Sequence, residues 1–170
     1  MTTPIVVGNT KAYINSLKEM KALQEGVWQN LEKDKYTYML AIPTTMIGEM
    51  VNEKYWAPIF GSQTFDQGGE GAHTGANTLD QIKNSGAKFT ILGHSERREV
   101  GESDESVAAR AKESLAKNFL TIICVGEKER RGNEEYLDFI KTQLEKSLKD
   151  VDRRGAEKLI IAYEPLWAIG

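Results

Sequence analysis

Near the middle of the chain lies the stretch Phe89-Thr90-Ile91-Leu92-Gly93-His94-Ser95-Glu96, a short apolar run that ends abruptly in polar residues. The run is apolar almost throughout and does not alternate with polar residues. Strands with this composition are covered on both faces, as in parallel sheets. The stretch therefore predicts a buried parallel strand over Phe89–Gly93, with polar groups just beyond its carboxyl end.

Similar runs occur on both sides of this stretch. They predict further strands at Ile5–Gly8, Tyr38–Ile42, Pro58–Gln63, Leu120–Val125 and Leu159–Tyr163. The segments between these runs show apolar residues at helical spacing or helix-capping residues. They predict helices over 14–31, Thr44–Lys54, 78–86, Ser103–Lys117 and 136–151. Strands separated by helices imply right-handed βαβ units, and hence an α/β fold with a parallel sheet.

Some helix starts carry their own signals. Thr44 or Thr45 is a plausible N-cap for the second helix, and Thr78 with Gln81 has capping-box spacing. The acidic pair that follows Ser103 suits the first turn of the next helix. The helices' apolar stripes are interpreted as core faces that pack on the sheet.

The composition restricts the function classes. A net charge of −3 with mixed signs gives no basis for a nucleic-acid or membrane partner. The single cysteine, Cys124, excludes an internal disulfide, and no set of paired metal ligands is recognisable. Without an export signal or an apolar run long enough to span a bilayer, we expect a cytoplasmic protein.

A βα repeat of this kind forms either a doubly wound sheet or a barrel. The first turn, Val7-Gly8-Asn9-Thr10-Lys11, lacks both the glycine triad of a dinucleotide site and the spacing of a P-loop. This weakens the doubly wound nucleotide-binding alternative without excluding it.

Functional groups of parallel α/β folds gather at the carboxyl ends of the strands. The residues at these positions are Asn9, Lys11, His94, Ser95, Glu96, Gly126, Glu127 and Glu164. A cation, an imidazole, carboxylates and an amide suit proton transfer next to a carbonyl. Each residue taken alone also has a structural interpretation: a hydrogen-bonded histidine, a helix-start carboxylate, a solvated lysine or a turn-capping asparagine.

Several of these segments resemble the triosephosphate isomerase family. The similar stretches are Gly93-His94-Ser95-Glu96-Arg97-Arg98, Cys124-Val125-Gly126-Glu127, Gly71-Ala72-His73-Thr74-Gly75 and the run from Ala162 to Gly170, in the family's order. The resemblance implies a (β/α)8 TIM barrel, incomplete here, with about six strands in a single partial domain over 1–170. A complete barrel has about 250 residues, so the last two βα units would be absent.

The resemblance also implies roles for the matching residues. Glu164 would be the catalytic base and His94 a neutral electrophile beside a helix that begins near Ser95. Asn9 and Lys11 would bind the substrate, and Lys11 would also stabilise charge. Glu96 would support Lys11, and Ser95 would hold Glu164 when the site is empty. The family requires no metal or organic cofactor, and its substrate is a small phosphorylated triose.

The chain also departs from the family pattern. Thr10 replaces the usual aromatic residue between Asn9 and Lys11, and Ala12 and Ala76 stand where methionine and glutamate are common. Family members form homodimers through the loop that carries Thr74. The substitution at Ala76 lies in this loop, so it affects the strength of the expected interface.

From the comparison with a complete barrel we expect the 170-residue chain alone to have little or no isomerase activity, since it would lack the phosphate-binding loops. Two alternatives stay open. One is a non-catalytic half-barrel that binds a partner chain. The other is a different sugar-phosphate barrel, such as an epimerase or an aldolase with a Schiff-base lysine.

Overall fold

The structure is a computed structural model that describes residues 3–32, 34–52, 58–130 and 134–168. These residues fall into two compact units, Met1–Thr90 and Ile91–Gly170. The strands within the described ranges are β1 Ile5–Asn9, β2 Thr37–Ile42, β3 Ile59–Ser62, β4 Phe89–Leu92, β5 Leu120–Val125 and β6 Leu159–Tyr163. The α-helices are α1 Leu17–Asn30, α2 Thr44–Val51, α3 Leu79–Asn84, α4 Ser95–Glu99, α5 Asp104–Ala116 and α6 Glu135–Ser147, and 3-10 helices span Arg153–Lys158 and Leu166–Ala168.

The first unit is a parallel sheet with its strands paired in chain order. β1 pairs with β2, β2 with β3, and β3 with the start of β4, in registers that include Ile5 opposite Thr37 and Gly61 opposite Phe89. Gly61 is required there, because a Cβ on it would collide with the Phe89 ring. The fully buried side chains include Met20, Met39, Ile42, Ile47, Met50, Phe65, Leu79, Ile82 and Phe89. Helix and strand faces thus share one apolar core.

The second unit repeats the same arrangement. β5 and β6 pair in parallel along their whole lengths, from Thr121 opposite Leu159 to Val125 opposite Tyr163. Helix α5 buries Val107, Ala111 and Leu115, and the strand residues Ile122–Val125 are buried as well. These apolar faces pack together because burial removes them from water.

The predicted strands and helices are confirmed, mostly to within a few residues. The capping box at Thr78 and the Ser103 N-cap of α5 are both present. The Thr44 or Thr45 cap is wrong, because α2 begins directly after Pro43, whose carbonyl accepts the Met46 N–H. The predicted end of that helix at Lys54 lies outside the described residues.

The prediction that every strand is covered on both faces is wrong for two strands, β1 and β6. Ile5, Val6 and Val7 of β1 are 40–50% exposed, and Ile161 of β6 is 41% exposed. Among the described strands β1 pairs with β2 alone, whereas β2 also pairs with β3, so β1 receives less cover than β2. No helix in the described ranges is long and apolar enough to cross a membrane.

Candidate active site

The turn after β1 carries the first pair of predicted site residues. Asn9 is the last residue of β1, and its Oδ1 accepts the Lys11 N–H at 2.9 Å. Lys11 has φ of 48°, the left-handed region that non-glycine residues rarely adopt. Asn9 is therefore tied to the backbone of Lys11, as a turn-capping asparagine would be.

His94 lies at the junction of β4 and α4, where it is 8% exposed. It is the N-cap of α4, and its Nδ1 accepts the backbone N–H of Glu96 at 3.2 Å. A nitrogen that accepts a hydrogen bond carries no proton, so the neutral imidazole has its proton on Nε2. The helix start near Ser95, expected from the resemblance, is confirmed.

Glu164 follows β6 and faces this imidazole. Its backbone N–H donates to the Val125 carbonyl at 2.8 Å, which continues the β5–β6 pairing one residue past the strand. Its Oε2 lies 3.6 Å from Nε2 of His94. That oxygen is buried, and among the described residues it has no hydrogen-bond partner. The structure thus brings a protonated imidazole nitrogen and a carboxylate oxygen together.

The other two residues of this motif flank His94. Ser95 is the first residue of α4. Glu96 is more exposed, and its Oε2 lies 3.7 Å from Nδ1 of His94. The holding role of Ser95 and the support that Glu96 gives to Lys11 stay predictions.

The peptide that precedes His94 is held by two charged side chains. Gly93 has φ of 68°, and its N–H donates to Oε2 of Glu102 at 2.8 Å while its carbonyl accepts Nε of Arg98 at 2.7 Å. Glu102 in turn lies 2.6 Å from Arg110, and both side chains are almost fully buried. Arg98 is paired with Asp104 at 2.6 Å. The backbone leading into His94 is thus fixed on both sides.

A second cluster lies after β5. The buried Glu127 carboxylate accepts hydrogen bonds from Tyr163 at 2.9 Å, Trp167 at 2.8 Å and Arg130 at 3.0 Å. Burial raises the pKa of Glu127, but these hydrogen bonds outweigh it and hold the pKa at about 2. Arg130 also stacks over the Tyr136 ring, 3.7 Å from its centroid. The carboxylate is therefore ionised and fully occupied within the protein.

Cys124 packs inside β5, as expected for a small apolar group. It is buried and has no disulfide partner. Burial is the main cause that raises the pKa of its thiol, and the nearby Glu164 charge adds to it. A cysteine with a raised pKa is a poor nucleophile at neutral pH. Among the described residues no cluster of three or more His, Cys, Asp and Glu side chains could hold a metal ion.

The loop between β3 and α3 carries Thr74 on its exposed tip. The two ends of the loop are joined by backbone and side-chain hydrogen bonds between Asp66 and Asn77. At the tip, the Ala76 N–H donates to the His73 carbonyl. The loop is therefore closed at its base and presents Thr74 to solvent.

Comparison with known proteins identifies the family to which the chain belongs. The family model "Triosephosphate isomerase" matches residues 4–170. The chain belongs to the triosephosphate isomerase family. Two similar curated proteins are the triosephosphate isomerases of Rhizobium etli, 40% identical over 98% of this chain and 66% of that protein, and of Mycoplasma mobile, 36% identical over 100% of this chain and 72% of that protein.

A solved structure agrees with this assignment. The crystal structure of triosephosphate isomerase from Bartonella henselae superposes with a TM-score of 0.78 at 31% identity, covering 99% of this chain and 70% of that one. The chain thus has the TIM-barrel fold of the triosephosphate isomerase family. It spans about two thirds of the length of the curated relatives it matches.

Sequence reasoning missed several residues that shape the site. Glu127 has no role in the sequence-based prediction, although its position directly after β5 is a signal that it could belong to the site. Arg98 and Glu102 lie close to His94 in sequence, but nothing local indicates that they hold Gly93. Gln63, assigned only to the end of a strand, contacts the Lys11 backbone across 52 positions of sequence.

Proposed function

We propose that this triosephosphate isomerase sequence serves the reversible interconversion of D-glyceraldehyde 3-phosphate and dihydroxyacetone phosphate, a step of glycolysis and gluconeogenesis, by proton transfer through an enediolate. The observation that supports it most strongly is the 3.6 Å separation of His94 Nε2 and Glu164 Oε2. A base and a hydrogen-bond donor at this distance can act on adjacent atoms of one small substrate.

In this proposal Glu164 is the base that removes a proton from one carbon and returns it to the next. Its Oε2 is buried and has no hydrogen-bond partner in the described part of the chain. That oxygen is therefore open to a proton taken from the substrate. Glu127 is the contrasting case, since its hydrogen bonds hold its pKa at about 2 and make it a poor base.

His94 polarises the substrate oxygens in this proposal. Because its Nδ1 accepts the Glu96 N–H, its Nε2 proton is available for a developing oxyanion. Lys11 and Asn9 bind substrate, and Lys11 also balances the negative charge of the enediolate. Ser95 and Glu96 support Glu164 and Lys11 respectively. No step requires a metal or an organic cofactor.

The test is isomerase turnover and solvent deuterium incorporation with the purified full-length protein, because we expect residues 1–170 alone to have little or no activity. Because general base catalysis contributes about 10²–10⁴-fold, Glu164→Gln should lower kcat by that order. His94→Gln, which replaces the imidazole by an amide, should lower kcat by about 10²–10³-fold, as loss of an oxyanion donor does. The matched control is Glu157→Gln, which removes an exposed carboxylate and should leave kcat unchanged.

Deuterium from solvent should appear on the product carbon if the reaction proceeds through an enediolate. Turnover without exchange would favour direct hydride migration and contradict the role of Glu164. Equal kcat values for Glu164→Gln and Glu157→Gln would overturn the proposal.

The homodimer and the compartment belong to the same proposal. The Thr74 loop, closed at its base by Asp66 and Asn77, offers an exposed tip for a second copy of the chain. Sedimentation equilibrium should give a dimer that Thr74→Arg dissociates, and an unchanged mass would contradict this interface. The buried free thiol of Cys124 fits the reducing cytosol, which cell fractionation would test.

A further inference from the structure

Lys11 holds a strained backbone conformation that something must maintain. Its φ of 48° lies in the left-handed region, which is unfavourable for a residue with a Cβ. The Asn9 side chain accepts its N–H at 2.9 Å, which satisfies one end of the residue. Strained conformations of this kind persist only where surrounding contacts over-determine them.

The other end of Lys11 is held by Gln63 from the end of β3. Nε2 of Gln63 lies 2.8 Å from the Lys11 carbonyl oxygen and 3.2 Å from Oγ1 of Thr10. A carbonyl accepts hydrogen bonds only, so the amino group of the amide must face it. Both protons of this amino group are then used on the turn that carries Lys11.

The Thr10 hydroxyl links Gln63 to the Ala41 carbonyl through two consecutive hydrogen bonds. Because its oxygen accepts from Gln63, its own proton is free to donate to the Ala41 carbonyl, 3.3 Å away. Thr10 is 7% exposed, so water has little access to replace these bonds.

We infer that Thr10 and Gln63 are positioning residues, which lock the left-handed turn so that Lys11 is presented in one orientation. The kinetic consequence rests on the proposed function, in which Lys11 acts on substrate, whereas the effect on the turn does not.

The experiment compares Thr10→Val, which keeps the shape and removes the hydroxyl, with Thr10→Ser, which restores a hydroxyl. Gln63→Met removes the amide at similar length. Thr121→Val is the matched control, because Thr121 is a fully buried threonine whose hydroxyl is hydrogen-bonded to the Phe119 carbonyl at the start of β5. Two quantities are measured: the backbone ¹³C and amide chemical shifts of Lys11, and kcat/KM.

We expect Thr10→Val and Gln63→Met to move the Lys11 shifts and to lower kcat/KM by about tenfold, the order set by one lost hydrogen bond. Thr10→Ser should recover most of both. Thr121→Val should lower the melting temperature without moving either quantity.

The outcomes separate the two proposals. Lys11 shifts that move in Thr10→Val and Gln63→Met, in a protein without isomerase turnover, would support the positioning role and refute the proposed function. Lys11 shifts that stay unchanged in both variants would overturn the positioning role, whatever the activity. A Thr10→Ser variant as impaired as Thr10→Val would also overturn it, because the hydroxyl would then not be the group that matters.

Discussion

Replacing Glu102 by glutamine should destabilise the protein far more than the same change at an exposed ion pair. Oε1 of Glu102 lies 2.6 Å from Arg110 Nη2, with side chains that are 3% and 4% exposed. The pair Glu32–Lys35 has the same 2.6 Å separation, but its side chains are 60% and 68% exposed. Distance is thus held constant while burial changes.

The magnitude follows from burial. Glu102→Gln keeps the shape but removes the carboxylate that faces the buried Arg110 guanidinium, and breaking a buried pair in this way costs about 3–5 kcal/mol. Arg110 retains its hydrogen bond to the Ser106 carbonyl at 3.1 Å, so we expect the lower end, about 3 kcal/mol. For a chain of this size that corresponds to a fall of about 6–12 °C in Tm. Glu32→Gln should cost less than about 1 kcal/mol.

The assay is urea unfolding followed by circular dichroism, with a scan of Tm for each variant. The double variant Glu102→Gln/Arg110→Met removes both charges and should recover part of the loss, because no unpaired buried charge remains. Added salt should weaken the effect of Glu32→Gln and leave that of Glu102→Gln nearly unchanged. Equal losses of unfolding free energy in Glu102→Gln and Glu32→Gln would refute the reasoning. So would a double variant whose loss exceeds the summed losses of Glu102→Gln and Arg110→Met.

Two further predictions follow from the site. Gly126→Ala would place a Cβ against the Glu164 carbonyl, so both Tm and kcat should fall. The control is Gly26→Ala in the exposed middle of α1, where nothing lies near the new Cβ and stability should rise by about 0.5–1 kcal/mol. Thermal melts and turnover of the two variants test this, and a Gly126→Ala variant with unchanged Tm and kcat would contradict it. The pKa of Glu127 is lowered in the folded state from 4.5 to about 2, so the stability it contributes is complete above pH 4.5 and is lost as the pH falls toward 2. The difference in free energy of unfolding between the natural protein and Glu127→Gln should therefore shrink between pH 5 and pH 2.5 in urea titrations, and a constant difference would count against it.

Much of the fold could be predicted because its signals are local. The largely apolar runs of β2, β4 and β5 identify buried parallel strands, and helical spacing identifies the intervening helices. The carboxyl ends of β4 and β6 predict His94 and Glu164 as site candidates. The cap of α2 was wrong because two adjacent threonines obscured the actual start after Pro43, whose fixed φ already suits a helix entry.

The contacts that orient the site were beyond the reach of sequence patterns. The proton on Nε2 of His94 follows from the Glu96 N–H that meets Nδ1. The open position of Glu164 Oε2 follows from its lack of hydrogen bonds within the described residues. The contrast with Glu127 could not be predicted either, since both are glutamates that follow apolar strands. Their different environments are set by which donors the fold brings to each carboxylate.

The sequence by itself determined the alternation of strands and helices and the places where polar side chains leave the sheet. Hydrophobic burial is set by the composition of each segment, so it can be recognised one segment at a time. Only the tertiary structure decided how Gln63 meets Lys11 and how Glu102 meets Gly93. A hydrogen bond depends on the distance and angle between two particular atoms, and chain segments far apart in sequence acquire that geometry only when the whole unit has folded.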